Sequence, residues 1–250
     1  MLLKAWHTLQ GFREHSASLF QLMRQTVSKP AAKNVRKNTA KTALVKPARQ
    51  EKTESIIRAA MELFAKYGYD DCDMECVAAK LKIAKGTLYL YFPGKQELFF
   101  ACVDTAMREL QAAINSAREA SPDPLKQISR AIRTYVEFFA KHPEYVELMV
   151  LERAIFRDRK QATYFSYRDR SREYWRELYA ELIEAGRIHT TLSVETLLDM
   201  IGNLVYGTMF TNHFNGRRLS IAQQHRAILD FAFAGLLSSA DQKKLLSSAR

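Results

Sequence analysis

Glycine and proline are scarce, nine and six in 250 residues. Sandwiches and barrels need that punctuation at many turns, so its shortage argues against them, while abundant Ala, Leu, Glu, Lys and Arg favour long helices. The expected fold class is all-α. Cysteine is scarcer still. Cys72, Cys76 and Cys102 are too few and too irregular for a disulfide framework, and an odd thiol suits a reducing compartment. Cys72 and Cys76 have the i, i+4 spacing of one helical face, but no fourth ligand and no nearby histidine complete a zinc set. Free thiols and no metal are expected. Long hydrophobic runs are also missing: Leu197 to Phe210 is broken by Asp199 and Asn203 and is too short for a bilayer. No membrane span is expected, and the expected location is the cytoplasm. There is no Gly-rich phosphate loop, nucleophile elbow or His-rich metal motif, so neither an enzyme nor a cofactor is expected.

What is plentiful is positive charge, and it is unevenly placed. The formal net charge is +11, yet residues 1–50 alone carry ten Lys/Arg against the single acid Glu14. Residues 51–94 hold six basic and seven acidic side chains, so that segment is not itself a basic patch. Loose helical spacing within residues 1–28 allows a short helix. From Lys29 to Gln50 large apolar residues nearly vanish, and the reading is a flexible basic linker. The opening residues are acid-poor like a transit peptide, but Lys4, His7, Arg13, Glu14 and His15 interrupt any signal-type apolar core, and a plain tail is the simpler account. Residues 1–50 are thus taken as a basic N-terminal extension.

From Thr53 on, helical punctuation is clear. Ile56, Ile57, Ala60, Leu63 and Phe64 recur at helical spacing up to Tyr67, and Gly68 sits where a left-handed cap ends a helix. Asp73 is a natural N-cap for a short helix, Met74 to Leu81. A third helix starts near Ala84 and ends before Pro93, and Gly94-Lys95 open a fourth. Two short helices separated only by Lys82 and Ile83 must cross steeply, which is a helix-turn-helix arrangement. Beyond Pro122 and Pro124 the pattern predicts long amphipathic helices over 125–141, 144–154, 162–186, 194–214 and 221–238.

The stretch from Arg58 to Asp104 resembles the TetR-type DNA-binding domain. The resemblance is carried by Leu63-Phe64 with Gly68-Tyr69, by Val77-Ala78, by IAKGTLYLYF (Ile83–Phe92), and by Lys95 with Glu97-Leu98. It implies a three-helix DNA-binding domain over residues 51–98 and a C-terminal bundle over 99–250 for ligand binding and dimerisation. By the same resemblance Lys85, Gly86, Thr87, Tyr89, Tyr91 and Lys95 occupy DNA-contact positions. Chemically, Gly86 allows close backbone approach, Thr87 offers a hydroxyl and a methyl to base edges, the tyrosines offer hydroxyls to phosphates, and Lys95 neutralises a phosphate. Leu88 and Phe92 are core positions. Tyr89 is either a contact or a packing residue, and Leu90 either core or an exposed filler. Lys82 stands where the family often has Gly, and Ala84 where it often has a capping hydroxyl. The basic extension offers a further arm along the minor groove or backbone.

Aromatic residues concentrate in the C-terminal half, as a ligand-enclosing bundle requires. Candidate ligand residues are Arg153, Phe156, Arg157, Tyr167, Trp175, Tyr206, Phe210 and His213, with Glu152 as a further orienting group; for each taken singly, a packed core with a solvated charged face is the simpler reading. Leu197, Leu198, Ile201, Leu204, Val205 and Met209, then Ile228, Phe231, Ala232, Leu236 and Leu237, make the last two helices apolar on more than one face. Such helices need a second partner, here another subunit, and Gly202, Gly207 and Gly235 permit close approach. The expected function is a dimeric repressor bound to a pseudo-palindromic double-stranded operator and released by a small, largely hydrophobic effector. The alternatives are a ligand-independent activator or architectural DNA-binding protein, and an α-helical enzyme or lipid carrier with an accidental motif.

Overall fold

A computed structural model describes residues 35–233 and 239–247, with most side chains described from Ala48 onward. Among the described residues there are helices and no strands: α1 (Val35–Tyr67), α2 (Met74–Leu81), α3 (Lys85–Tyr89), α4 (Lys95–Glu119), α5 (Pro124–Lys141), α6 (Pro143–Ile155), α7 (Thr163–Arg170), α8 (Arg172–Glu184), α9 (Val194–Asn215), α10 (Ile221–Phe233) and α11 (Ser239–Ser247). The expected all-α class is what is found.

The chain divides into two units after Glu51. The described part of the first, residues 35–51, is helical backbone at the start of α1. The stretch read as a flexible basic linker over Lys29–Gln50 has helical backbone from Val35 onward. The stretch is rich in Ala, Lys and Arg, which favour helix without needing burial, and Ala48, Arg49 and Gln50 are exposed. Pro47 is carried inside it at the loss of one backbone hydrogen bond. The helix expected within residues 1–28 lies outside the described residues, as do Gly235, Leu236 and Leu237.

In the second unit, α1 buries Ile56, Ile57, Ala60, Met61 and Phe64. It ends at Gly68, whose φ of 82° suits a residue without Cβ and whose N–H reaches Phe64 O at 2.9 Å. Asp73 caps α2 as its position predicts, its Oδ1 accepting from the N–H groups of Glu75 and Cys76 at 2.9 Å. Cys72 precedes this cap and is buried while Cys76 is exposed, so the two thiols do not share a face. Lys82 turns the chain with φ 54° and ψ 44°. α3 then follows, pinned by buried Leu88 and Phe92.

The bundle is built on α4 and α5, which pack along each other. α4 buries Leu98, Phe99, Cys102, Val103, Ala106, Met107 and Leu110 at helical spacing. α5 starts with Pro124 in its first turn and Asp123 accepting from Leu125 N–H at 3.3 Å. The single helix expected over 162–186 is broken into α7 and α8 at Ser171. Its N–H and its hydroxyl both reach back to Arg168 O, at 3.2 and 2.9 Å, and this local pairing competes with the regular ladder. Glu152, expected to face a ligand, is instead buried and spent on α7: it accepts from Thr163 N–H at 3.0 Å and Thr163 Oγ1 at 2.8 Å, and pairs with Arg159. Two apolar clusters result, one joining α1–α4 to α6 and to Tyr135 and Phe139 of α5, Tyr164 of α7 and Met209 of α9, the other joining α5 to α8, α9 and α10.

Candidate nucleic-acid interface and bundle cavity

The helix-turn-helix presents a small exposed edge on a fixed base. Leu88 is fully buried and Phe92 nearly so, whereas Lys85, Gly86 and Ala84 are exposed and Tyr89 is 46% exposed. A Cβ built on Gly86 meets nothing within 4 Å, so no internal contact requires glycine there. Bareness at that point leaves the backbone open to something outside the chain. Thr87 is half-buried, with its N–H bonded to Ala84 O at 2.9 Å. Leu90 is 74% exposed, which settles it as surface rather than core. Tyr91 is half-buried beside this edge.

The cations here are partly engaged within the chain. Lys85 Nζ lies 3.3 Å from Glu75 Oε2, and Lys80 pairs with Glu62. Both pairs are solvent-exposed, so a phosphate can take the lysines over at little cost. The hydrogen bond to Glu75 raises the Lys85 pKa further, which keeps it cationic. Lys95 Nζ donates to Asp70 O at 3.1 Å and sits 4.5 Å over the Tyr69 ring, at the N-terminal end of α4. Ala84 occupies the N-cap of α3 without any side-chain cap bond.

A second feature lies in the bundle. A partly open cavity of about 170 Å³ lies between α4, α5, α7, α8 and α9. Ile128, Ile132, Ile201 and Val205 give it apolar walls, and Gln111, Arg168 and Arg172 are its polar rim. Tyr135 and Tyr164 close one wall, their hydroxyls 3.0 Å apart. Burial raises both phenols, Tyr164 to about 12, so both stay neutral. Tyr167 lines the cavity and donates to Asp104 of α4 at 2.7 Å.

Of the eight residues expected at a ligand, Tyr167 and Trp175 line this cavity and the other six do not. Phe156 packs instead against Tyr69, edge to face, and against Phe99 and Phe100 at tilted angles, at ring separations of 5.1, 5.6 and 4.6 Å, where the helix-turn-helix meets the bundle. Tyr206 and Phe210 belong to an aromatic row with Tyr164, Phe165 and Phe214. Arg153 and Arg157 are exposed, and Arg157 donates to Ala154 O at 3.1 Å. His213 lies 2.6 Å from Glu147 and borders a separate cleft. Tyr135, Tyr164, Arg168 and Arg172 also line the cavity, and the sequence does not single them out. Nothing in their local pattern separates a cavity wall from a core position.

Two family models match the chain. One, described as bacterial regulatory proteins, tetR family, covers residues 56–102. The other, described as a tetracyclin repressor-like C-terminal domain, covers residues 121–208. Together they span more than half of the chain. The chain belongs to the tetR family. The first model runs from the buried Ile56 of α1 to Cys102 of α4, and so contains the whole exposed edge; the second holds most of the cavity wall. Among curated proteins, the uncharacterized HTH-type transcriptional regulator YhgD of Bacillus subtilis is 30% identical over 37% of this chain and 48% of its own length. The HTH-type transcriptional repressor KstR of Mycobacterium tuberculosis is 26% identical over 44% of this chain and 50% of its own. The chain thus spans about half the length of these relatives. Among solved structures, the TetR family transcriptional regulator PfmR of Thermus thermophilus superposes with a TM-score of 0.59 at 22% identity, over 73% of this chain and 99% of that one. That likeness is one of fold.

Proposed function

We propose that this tetR-family chain is a sequence-specific DNA-binding repressor that acts as a homodimer and is released from its operator by a small, largely apolar ligand. The observation that carries the reading is the edge formed by exposed Lys85, Gly86 and Tyr89 with half-buried Thr87, held by Leu88 and Phe92 in the core. A recognition helix needs this pairing of small, polar outer residues with a rigid inner face. Tyr91 and Lys95 extend the contact to phosphates on either side. Dimerisation is supported by apolar side chains left in solvent on α9 and α10, above all Phe231 at 81% exposure, with Phe214 and Met200. The cavity is the effector site. Its walls include α4, which follows the recognition helix directly, so an occupant that shifts α4 alters the spacing of two recognition helices.

Selection of bound duplexes from a random pool, at two salt concentrations, tests the core of this reading. A palindrome recovered by the wild type and lost with Thr87→Ala and Tyr89→Ala is the expected result. Binding that is sequence-blind and merely salt-sensitive would credit the basic N-terminal residues and end the repressor reading.

A further inference from the structure

The bundle holds a second cleft, of about 250 Å³, bordered by α5, α6 and α9. That is far more than the ~10–15 Å³ that one water occupies on this measure. Its chemistry differs from that of the first cavity. One side is apolar, with Val136, Phe139 and Val146; the other carries Asn212, His213 and Arg217. No carboxylate lines it. Arg217 has no acidic partner among the described residues. Glu147 fixes the His213 ring from outside the lining, through Nε2 at 2.6 Å, and Asn212 is held by a reciprocal pair of hydrogen bonds with Gln224 at 2.8 and 2.9 Å. Asn212 and His213 are therefore set in place before anything binds, while Arg217 stands exposed at the edge of the cleft.

The two spaces follow one another along the same two helices. α5 gives Ile128 and Ile132 to the first and Val136 and Phe139 to the second; α9 gives Ile201 and Val205 to the first and Asn212 and His213 to the second. Tyr135 is common to both. Its hydroxyl meets Tyr164 on the first side and lies 3.7 Å from the Met209 sulfur, a wall of the second.

We infer that this second cleft binds a small molecule with an apolar body and one carboxylate, and that it is coupled to the first cavity through Tyr135. A guanidinium forms paired, charge-assisted bonds with a carboxylate, while the facing apolar wall takes the rest of the ligand. A cation finds no counter-charge in the lining. An occupant that displaces Met209 or the Tyr135 ring changes the Tyr135–Tyr164 pair, and so the shape of the first cavity. By linkage, a ligand in the first cavity changes affinity in the second by the same factor.

The chain has two tryptophans, and Trp6→Phe leaves only Trp175, which lines the first cavity. In that full-length background, binding of octanoate and its uncharged match octanamide is followed by calorimetry and by Trp175 emission. Octanoate is expected to saturate at a concentration about tenfold or more lower than octanamide, and Arg217→Gln is expected to erase that preference. Tyr135→Phe is expected to keep the calorimetric binding and lose much of the emission change. A preference retained in Arg217→Gln, equal binding of the two probes, or no saturable binding overturns the site. An unaltered emission change in Tyr135→Phe overturns the coupling. Operator binding without ligand is measured in parallel and is unaffected by either outcome, which keeps this test separate from that of the repressor reading.

Discussion

Lys82 holds φ at 54°, a conformation that crowds any Cβ and that glycine adopts freely. It is the one non-glycine residue with positive φ among the described residues, and it lies in the turn that sets the crossing of α2 and α3. Backbone N–H groups of Lys82 and Ile83, bonded to Ala79 O and Ala78 O at 3.0 Å, hold it there. Relief of the strain competes with glycine's larger unfolded-state entropy, and for a left-handed residue the strain wins. Lys82→Gly is expected to stabilise the fold by ~0.5–1 kcal/mol, measured by urea unfolding. A destabilised Lys82→Gly protein would show that the lysine side chain contributes more than its backbone costs. The neighbouring Ala84 is a second local shortfall, since the α3 N-cap has no side-chain acceptor. Sequence reading located both departures because each is a property of one position. It could not say that Lys82 would accept the left-handed conformation rather than reshape the turn, because only the packed helices on either side enforce it.

At the scale of elements, the chain was legible wherever a boundary is written locally. Gly68, Asp73 and Pro124 each stop or start a helix by their own chemistry, and α2 has the bounds expected from its cap. The break at Ser171 was hidden. Serine inside a helical pattern is ordinary, and only its use of Arg168 O separates α7 from α8. The cavity is illegible for a related reason: Tyr167 and Trp175 line it, while Phe156, Tyr206 and Phe210, equally aromatic, pack in aromatic rows elsewhere. Which aromatic faces a void depends on how α4, α5, α7, α8 and α9 meet, and no single helix encodes that.

The seam between α5 and α10 carries a pH dependence. His225 of α10 is buried against Ser129 of α5, with Nε2 2.9 Å from Ser129 O and 3.1 Å from Ser129 Oγ. Its Nδ1 has no partner among the described residues. Burial, opposed in part by the Ser129 carbonyl and aided by the charge of Arg133, lowers its pKa below the ordinary 6.5. The unfolded chain therefore takes up a proton first as pH falls. Stability from this group is complete above pH 6.5 and declines below it, down to the lower pKa of the folded state. Thermal melts at pH 7.5, 6.5 and 5.5 are expected to show a smaller acid loss in His225→Gln than in the wild type. Parallel acid limbs in the two proteins would place the sensitivity elsewhere.

For the whole molecule, the proposed switch requires that the helix-turn-helix and the bundle move as linked bodies. Phe156 supplies apolar contact at that junction, and a polar triad supplies direction. Arg58 of α1 pairs with Glu109 of α4, and the Tyr145 hydroxyl of α6 donates to Glu109 Oε2 at 2.7 Å while accepting from Arg58. Tyr145 is fully buried apart from this edge, and burial with the neighbouring carboxylate pushes its phenol well up, so it remains a donor throughout the working pH range. The three groups come from α1, from α4, which follows the helix-turn-helix, and from α6 of the bundle, so the triad fixes their mutual angle. Removing one member leaves the others partly unsatisfied, and the losses cannot add. A double-mutant cycle of Arg58→Ala and Tyr145→Phe in urea unfolding is expected to give a coupling of at least ~0.5 kcal/mol. The same single variants are expected to weaken operator binding, although Tyr145 lies on α6, outside the reading helices, because a loosened angle spreads the population over conformers that do not fit two half-sites. Additive losses with unchanged operator affinity would mean that the triad packs the junction without setting its angle, and that the aromatic contacts at Phe156 alone join the two parts.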